Sequence, residues 1–345
     1  MEELLNELRK VNHKVYTDNY LIMGKEYVSL KIEEKNFKII LGMHPSDKYV
    51  VTFVDGGQTL IFESSFFCLG YIRTAAVTYE NNVRKSVDIK NFYILIKEIN
   101  DKFEIKTFPK TSFENIIFNK NDLSLEKDIS CSKILPIIRR FAELEHASKF
   151  NNVLIDGTLE AKYAYELNYI KNLKNAHAIS KTCSLLTNNG IGIIDVLRGI
   201  DNKSINNDAW YYYPIVINNN KNHPAEIFFV KLNEKSDYVF RTEFKSINNY
   251  NSETIKDKIL DKNLSVQLPF QSEELLSFLK ENSKDPIFLG YPYGLIDADN
   301  YARVTEQERK ILQTRISIMM GKDWKNFSKV LKSMNAHEIL DNIKF

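Results

Sequence analysis

At Lys133 the hydrophobic period of this chain changes. Up to there, apolar residues alternate with polar ones or stand in short runs. Beyond it, Ile134, Ile137, Ile138, Phe141, Leu144 and Ala147 recur at the three-and-four spacing of a helix face. The predicted helix leads into VLIDG (153–157), a short buried strand. LEAKYAYELNYIKNL (159–173) reads as another helix and AHAIS (176–180) as another strand. A strand, helix, strand unit of this kind builds parallel pairing, so the chain has to combine a β-rich first part with an α/β second part.

The first part opens on MEELLNELRKV, an amphipathic helix with Leu4, Leu5 and Leu8 on one face. Alternating runs follow at VYTDNYLIMG, YVSLKIEE and FKIILGM. In residues 48–82 a β run is expected to end in a turn at Asp55-Gly56-Gly57. Two further apolar runs and a turn at Asn81-Asn82 then make an antiparallel meander of three strands, with FYILIKEI (92–99) as a fourth. Residues 100–130 read as polar loop. WYYYPIVI, EIFFVKL and YVFRTEF supply three later β runs, and helical patterns return at 271–281 and from Thr305. No Pro/Gly/Ser-rich linker and no fixed repeat interrupts the 345 residues. One domain is expected over 1–345, with a core at about 45–320 and a helical C-terminal extension at about 305–345.

Charge is nearly balanced, 47 Lys plus Arg against 45 Asp plus Glu, so a polyanion site must come from local charge or from metal ions. From Tyr301 to the end the balance is 9 to 5, a mildly basic surface. Cys68, Cys131 and Cys183 form no CxxC and no disulfide framework, which fits a reducing compartment. No apolar run approaches the roughly 18 residues of a membrane span, and the charged N-terminus is not a signal peptide; a soluble, cytoplasmic protein is expected.

Two segments, VTFVDGG and VLIDGTL, deliver an Asp followed at once by Gly from an apolar strand. A carboxylate on a strand is rigidly held, and Gly permits close approach of a phosphate or metal; the competing reading is a plain turn after a strand. Asp55 and Asp156, on neighbouring strands, would hold a pair of hard divalent cations roughly 3.5 to 4 Å apart. On the helix before VLIDG, Glu143 and Glu145 lie beside Arg139 and Arg140, as a metal ligand or as a solvated ion-pair face. Lys181, at the end of the strand AHAIS, could neutralise phosphate charge or face solvent. In GYPYGLIDADNYARV (290–304), Asp297 and Asp299 either ligate a cation or cap the following helix. GxxxxGK[ST], GxSxG and HExxH are absent, so ATP hydrolysis through a P-loop is excluded.

The ordered set of VTFVDGG, RRFAELEHA just before NVLIDGTL, AISKTCSLL and GYPYGLIDADNYARV resembles the NurA nuclease family, whose members act with the HerA ATPase in bacteria and archaea. The resemblance spans about residues 45–320; IRTAAVTYENN, FFVKL and VFRTEF are similar as well. It implies an α/β fold, a ribonuclease-H-like mixed sheet flanked by helices, with N-terminal β-rich and C-terminal helical additions. It also implies a Mn²⁺-dependent (or Mg²⁺-dependent) deoxyribonuclease using two ions, with single-strand endonuclease and 5′ to 3′ exonuclease activity in DNA end resection. By position, Asp55 and Asp156 match the family's metal-binding aspartates and Glu143 its helical glutamate, with Glu145 as the alternative. Lys181 matches the lysine of the third motif. Asp299 falls where some members place His, with Asp297 as the alternative, and Gly294 replaces a commonly seen Pro, which is expected to loosen that turn. The implied partners are DNA, with single-stranded and double-stranded ends, a second copy of the chain in a homodimer, and a HerA-type hexameric ATPase. Two other classes remain: a catalytically silent DNA-binding scaffold that regulates an ATPase, and an RNA-directed enzyme of the same broad fold.

Overall fold

The computed structural model describes residues 1–10, 22, 24, 27–29, 31–43, 48–119, 130–205, 208–213, 215–218, 220–245 and 270–332. In chain order the elements begin with α1 (Glu2–Lys10), β1 (Tyr27–Ser29), β2 (Phe37–Ile39), β3 (Val50–Glu63), β4 (Phe67–Glu80), β5 (Val83–Ile99), β6 (Lys102–Phe108) and β7 (Phe118–Asn119). Then come α2 (Cys131–Ala147), β8 (Asn152–Asp156), α3 (Glu166–Asn172), β9 (Asn175–Ser180) and α4 (Ile193–Ser204). The last are β10 (Trp210–Tyr212), β11 (Ile215–Asn218), β12 (Ala225–Lys231), β13 (Phe240–Lys245), α5 (Phe270–Asn282), α6 (Tyr293–Ala302), α7 (Glu306–Met320) and α8 (Trp324–Lys332).

These elements fall into two compact units: Met1–Pro45 with Ile179–Pro292, and Ser46–Ala178 with Tyr293–Phe345. In the first unit β2, β10, β12 and β13 pair antiparallel in that order, and β1 pairs with β11. Trp210, Tyr212, Ile227 and Phe229 pack there with Ile193, Val196 and Leu197 of α4. Leu4 and Leu5 of α1 are exposed. Most of the run expected as a strand at 15–24 lies outside the described residues.

The second unit is a mixed sheet ordered β9, β8, β3, β4, β5, β6, β7. Strand β8 runs parallel to β3, and β3 to β7 pair antiparallel. Period-two alternation along β4 and β5 decides which helix covers which face. Cys68, Ile72, Phe92, Ile94 and Ile96 pack with Ile134, Leu135, Ile138 and Phe141 of α2. Their sequence neighbours Phe67, Tyr71, Tyr93 and Leu95 pack with Leu312 and Ile316 of α7 and with Trp324, Phe327 and Leu331 of α8. The sheet thus carries helices on both faces. Among the described residues no helix is long and apolar enough to cross a membrane.

Several local expectations are corrected. The chain does not turn at Asp55-Gly56-Gly57: β3 runs straight through, pairing Asp55, Gly56 and Gly57 with Ala75, Thr74 and Arg73. The meander is therefore three long strands, FYILIKEI being the second half of β5. The turn at Asn81-Asn82 is present, with φ of 49° and 61°, the geometry that matches strand twist in a tight hairpin. Asn100-Asp101 repeats it at 50° and 59°, so residues 102–108 are not loop but strand β6, with 120–129 outside the described residues. The helix expected over 159–173 shrinks to α3 because Tyr165, at φ 70°, holds a left-handed conformation that a helix cannot contain.

Candidate active site

Strands β3 and β8 lie side by side in parallel register, Thr52 with Val153, Phe53 with Leu154 and Val54 with Ile155. The next step along both strands brings Asp55 beside Asp156, at the spacing of neighbouring strands, about 4.8 Å. Buried apolar residues on both strands fix this register, since a slip of one residue would turn Phe53 and Val54 to the wrong faces. Asp156 closes β8, and Gly157 turns the chain away at φ 107°.

Glu143 arrives from α2 and is 2% exposed. It reaches the strand because Gly56 has no side chain: a β-carbon there would lie 2.6 Å from the Glu143 Oε1 and 2.8 Å from its Cγ. On the other face, a β-carbon at Gly57 would lie 2.2 Å from the Ala302 carbonyl oxygen at the end of α6. The two glycines are needed for close approach from two sides, not for a bend.

Three carboxyl groups are thereby brought together. Burial first, then the charges of Glu143 and Asp156, push the Asp55 carboxyl up to about 7, against the downward pull of the Gly56 N–H, which donates to its Oδ1 at 2.7 Å, and of Arg139. Burial also raises Glu143, opposed by Arg139 and Arg140 and reinforced by Asp156. Arg139 ion-pairs with Glu143 and donates to the Gly56 carbonyl at 2.8 Å. Arg140 stands 3.6 Å from the other Glu143 oxygen, donates to Glu166 at 3.1 Å and donates to the Thr158 carbonyl.

Glu166, which sequence reasoning missed, is 2% exposed and accepts the Lys162 and Tyr163 backbone N–H groups at 2.8 and 3.2 Å. Arg140 and Glu166 thus tie the turn after Asp156 to α2. The signal was beyond a local reading, because these partners are 26 residues apart.

The other expected positions are placed differently. Glu145, two residues from Glu143 and so about 200° round the helix, accepts from Ser112 Oγ at 2.8 Å, away from the aspartates. Asp297 and Asp299 lie inside α6, and their spacing sends them to opposite sides. Asp297 is buried and accepts from Tyr79 Oη at 2.8 Å and Arg84 at 2.9 Å, while Asp299 is half-exposed and ion-pairs with Arg303. Neither caps the helix start. Gly294 does not loosen a turn: it lies in α6 with the Phe53 ring so close that a β-carbon would come within 2.1 Å of it. Lys181 belongs to the other unit, where its ammonium sits 4.8 Å from the centroid of the Tyr291 ring.

Asp55, Asp156 and Glu143 offer hard oxygen donors, of the kind that suits a divalent cation. Among the described residues, however, no group of three or more His, Cys, Asp or Glu side chains is set to hold a metal ion. Both Glu143 carboxylate oxygens are engaged by guanidinium groups. The donors fit a hard cation in kind, with Asp55 and Asp156 foremost.

No family model matches the chain, and no curated protein does. Among solved structures it is similar to the NurA nuclease from Sulfolobus solfataricus, with 13% identity, 93% of each chain covered and a TM-score of 0.48. It is similar to human ENDOV at 9% identity, covering 76% of this chain and 85% of that one, TM-score 0.37. Endonuclease V of Ciona intestinalis, solved with a 24mer DNA containing an inosine followed by a ribo-adenosine, shares 14% identity over 80% of this chain and 92% of that one, TM-score 0.36.

Proposed function

We propose that this chain is a metal-dependent DNA nuclease of the NurA type. The observation that carries the reading is the adjacency of Asp55 and Asp156 on parallel strands with Glu143 pressed against Gly56 between two helices. The ordered motifs of the sequence support it independently. In this reading Asp55 and Asp156 would hold Mn²⁺ or Mg²⁺, two ions by the family likeness, and Glu143, now paired with Arg139, would be the third ligand. A bound divalent cation supplies Lewis acidity toward a phosphodiester. Asp55 would release its proton on taking a cation, and Arg140 with Glu166 ties the turn after Asp156 to α2. Asp299 takes the last ligand place and Lys181 the developing phosphate charge, both assigned by motif likeness alone. The same likeness assigns DNA end resection, work with a HerA-type hexameric ATPase and a homodimer, while the scattered cysteines support the cytoplasm.

The test is cleavage of linear duplex and single-stranded DNA with Mn²⁺ or Mg²⁺ by the wild type, Asp55→Ala and Asp156→Ala. Loss of cleavage in both variants is expected, and equal cleavage by all three proteins removes this site from the reaction. One observation favours a second reading, a catalytically silent DNA-binding scaffold: Glu143 is held by two arginines. Calorimetric titration with Mn²⁺ separates the two, since a scaffold would bind none.

A further inference from the structure

Helix α2 carries Glu143 to the strand that holds Asp55, and its apolar face is a loose gauge of how far along the sheet it sits. A slip of one turn, about 5.4 Å, would put Ile138 where Ile134 packs and Phe141 where Ile137 packs, apolar for apolar. A ligating carboxylate has to be held to about 0.5 Å. Among these apolar contacts stands a polar one. His146, one turn beyond Glu143 and 1% exposed, has Nδ1 2.8 Å from Thr74 Oγ1 and Nε2 3.1 Å from Asp88 Oδ2. Thr74, itself buried, is the β4 residue paired with Gly56, and Asp88 pairs with Ala76 further along the same strand. The ring thus joins α2 to β4 and β5 beside the position that Glu143 covers. A carboxylate can only accept, so Nε2–H donates to Asp88 and Nδ1 accepts from the Thr74 hydroxyl. Burial pulls His146 down to about 4, so the ring is neutral at working pH and one tautomer satisfies all three groups.

We propose that His146 is a positioning residue: gripped by Thr74 and Asp88, it sets the height of α2 on the sheet and so keeps Glu143 against Gly56. This rests on the reading of Glu143 as the third ligand. The polar contact is satisfied in one register only, and a slip would strand the buried Thr74 hydroxyl and the His146 ring without partners. Replacing both by apolar groups of similar shape costs little stability, so what these bonds contribute is register. Outer partners of this kind set metal affinity without touching the ion.

Thermal melts and calorimetry with Mn²⁺ on the full chain test this. Thr74→Val with His146→Leu should leave Tm within about 4 °C of the wild type, yet weaken Mn²⁺ binding by about tenfold or more. His146→Asn, whose amide keeps the Thr74 contact, should recover most of that affinity. A second comparison needs no metal. Gly56→Ala sets a β-carbon 2.6 Å from the Glu143 Oε1 and should lower Tm in the wild type. In the Thr74→Val, His146→Leu background, with Glu143 displaced, it should lower Tm by about half as much or less. Asp88→Ala removes a side chain that is 51% exposed and frees one ring nitrogen; it should relieve Gly56→Ala in the same direction, and it decides if the double variant fails to fold. An equal cost of Gly56→Ala in every background, or Mn²⁺ affinity unchanged by the double variant, overturns the proposal. A wild type that binds no Mn²⁺ removes the metal site instead and leaves the Gly56→Ala comparison to decide.

Discussion

Asp55 and Asp156 stand one step beyond the Val54 and Ile155 pair of two parallel strands, so their carboxyl groups share one side of the sheet at neighbouring-strand distance. Burial and the neighbouring carboxylates hold the Asp55 carboxyl up, and burial raises Glu143 as well against the pull of Arg139 and Arg140.

Stability should register this. Asp55 titrates at about 7 in the folded protein against an ordinary value of 3.8. Below pH 4 both folded and unfolded chains carry the proton. Between pH 4 and 7 only the folded one does, so unfolding free energy falls as pH rises and the loss is complete above 7. Asp55→Asn removes that loss. Its Tm should match the wild type near pH 4 and exceed it at pH 8 by on the order of 5 °C, read by thermal melts across the range.

Cation binding should release the same proton. In calorimetric titrations with Mn²⁺ in buffers of different ionisation enthalpy, about one proton should leave per protein at pH 6 and almost none at pH 8.5. Asp55→Asn should abolish the difference between buffers, and an unchanged proton count in that variant would place the titrating group elsewhere.

Gly57→Ala should be costly. The new β-carbon would fall 2.2 Å from a backbone carbonyl oxygen, which cannot rotate away as a side chain could. A destabilisation of about 3 kcal/mol is expected in urea unfolding. Gly157→Ala differs: it meets no atom within 4 Å and suffers only from its φ of 107°, so about 1 to 2 kcal/mol is expected.

Arg140→Met should destabilise by roughly 3 kcal/mol, because it strips a cation from Glu143 and Glu166, both 2% exposed. Adding Glu166→Gln should recover part of that loss, as coupled partners do. Additive losses in the double variant would mean that the two side chains do not act as a unit.

Much of the sheet was legible because the second half of β5 alternates in burial, while β4 and β8, covered on both faces, read as near-continuous apolar runs. The Asp-Gly pairs marked Asp55 and Asp156, which do lie on neighbouring strands, but gave the wrong geometry at Asp55. A glycine signals a turn and a close approach identically, and only Glu143 and the Ala302 carbonyl, far away in sequence, decide between them. KFEIKTF escaped notice because its exposed positions carry Lys and Glu, although Phe103, Ile105 and Thr107 alternate inward. Asp297 and Asp299 looked alike until helical geometry separated them, one into a buried Tyr79 and Arg84 pocket and one onto Arg303.

The bare stretch of β3 at Gly56 and Gly57 also constrains how the gene can vary. Phe53 fits against Gly294 and Gly57 beneath the Ala302 carbonyl, both on the α6 side, while Gly56 lies under Glu143 of α2 on the other. Losing a single codon between Val50 and Val54 would roll this whole ladder over, setting every one of these fits against the wrong layer. Length at this stretch is therefore held more tightly than the identity of most of its residues.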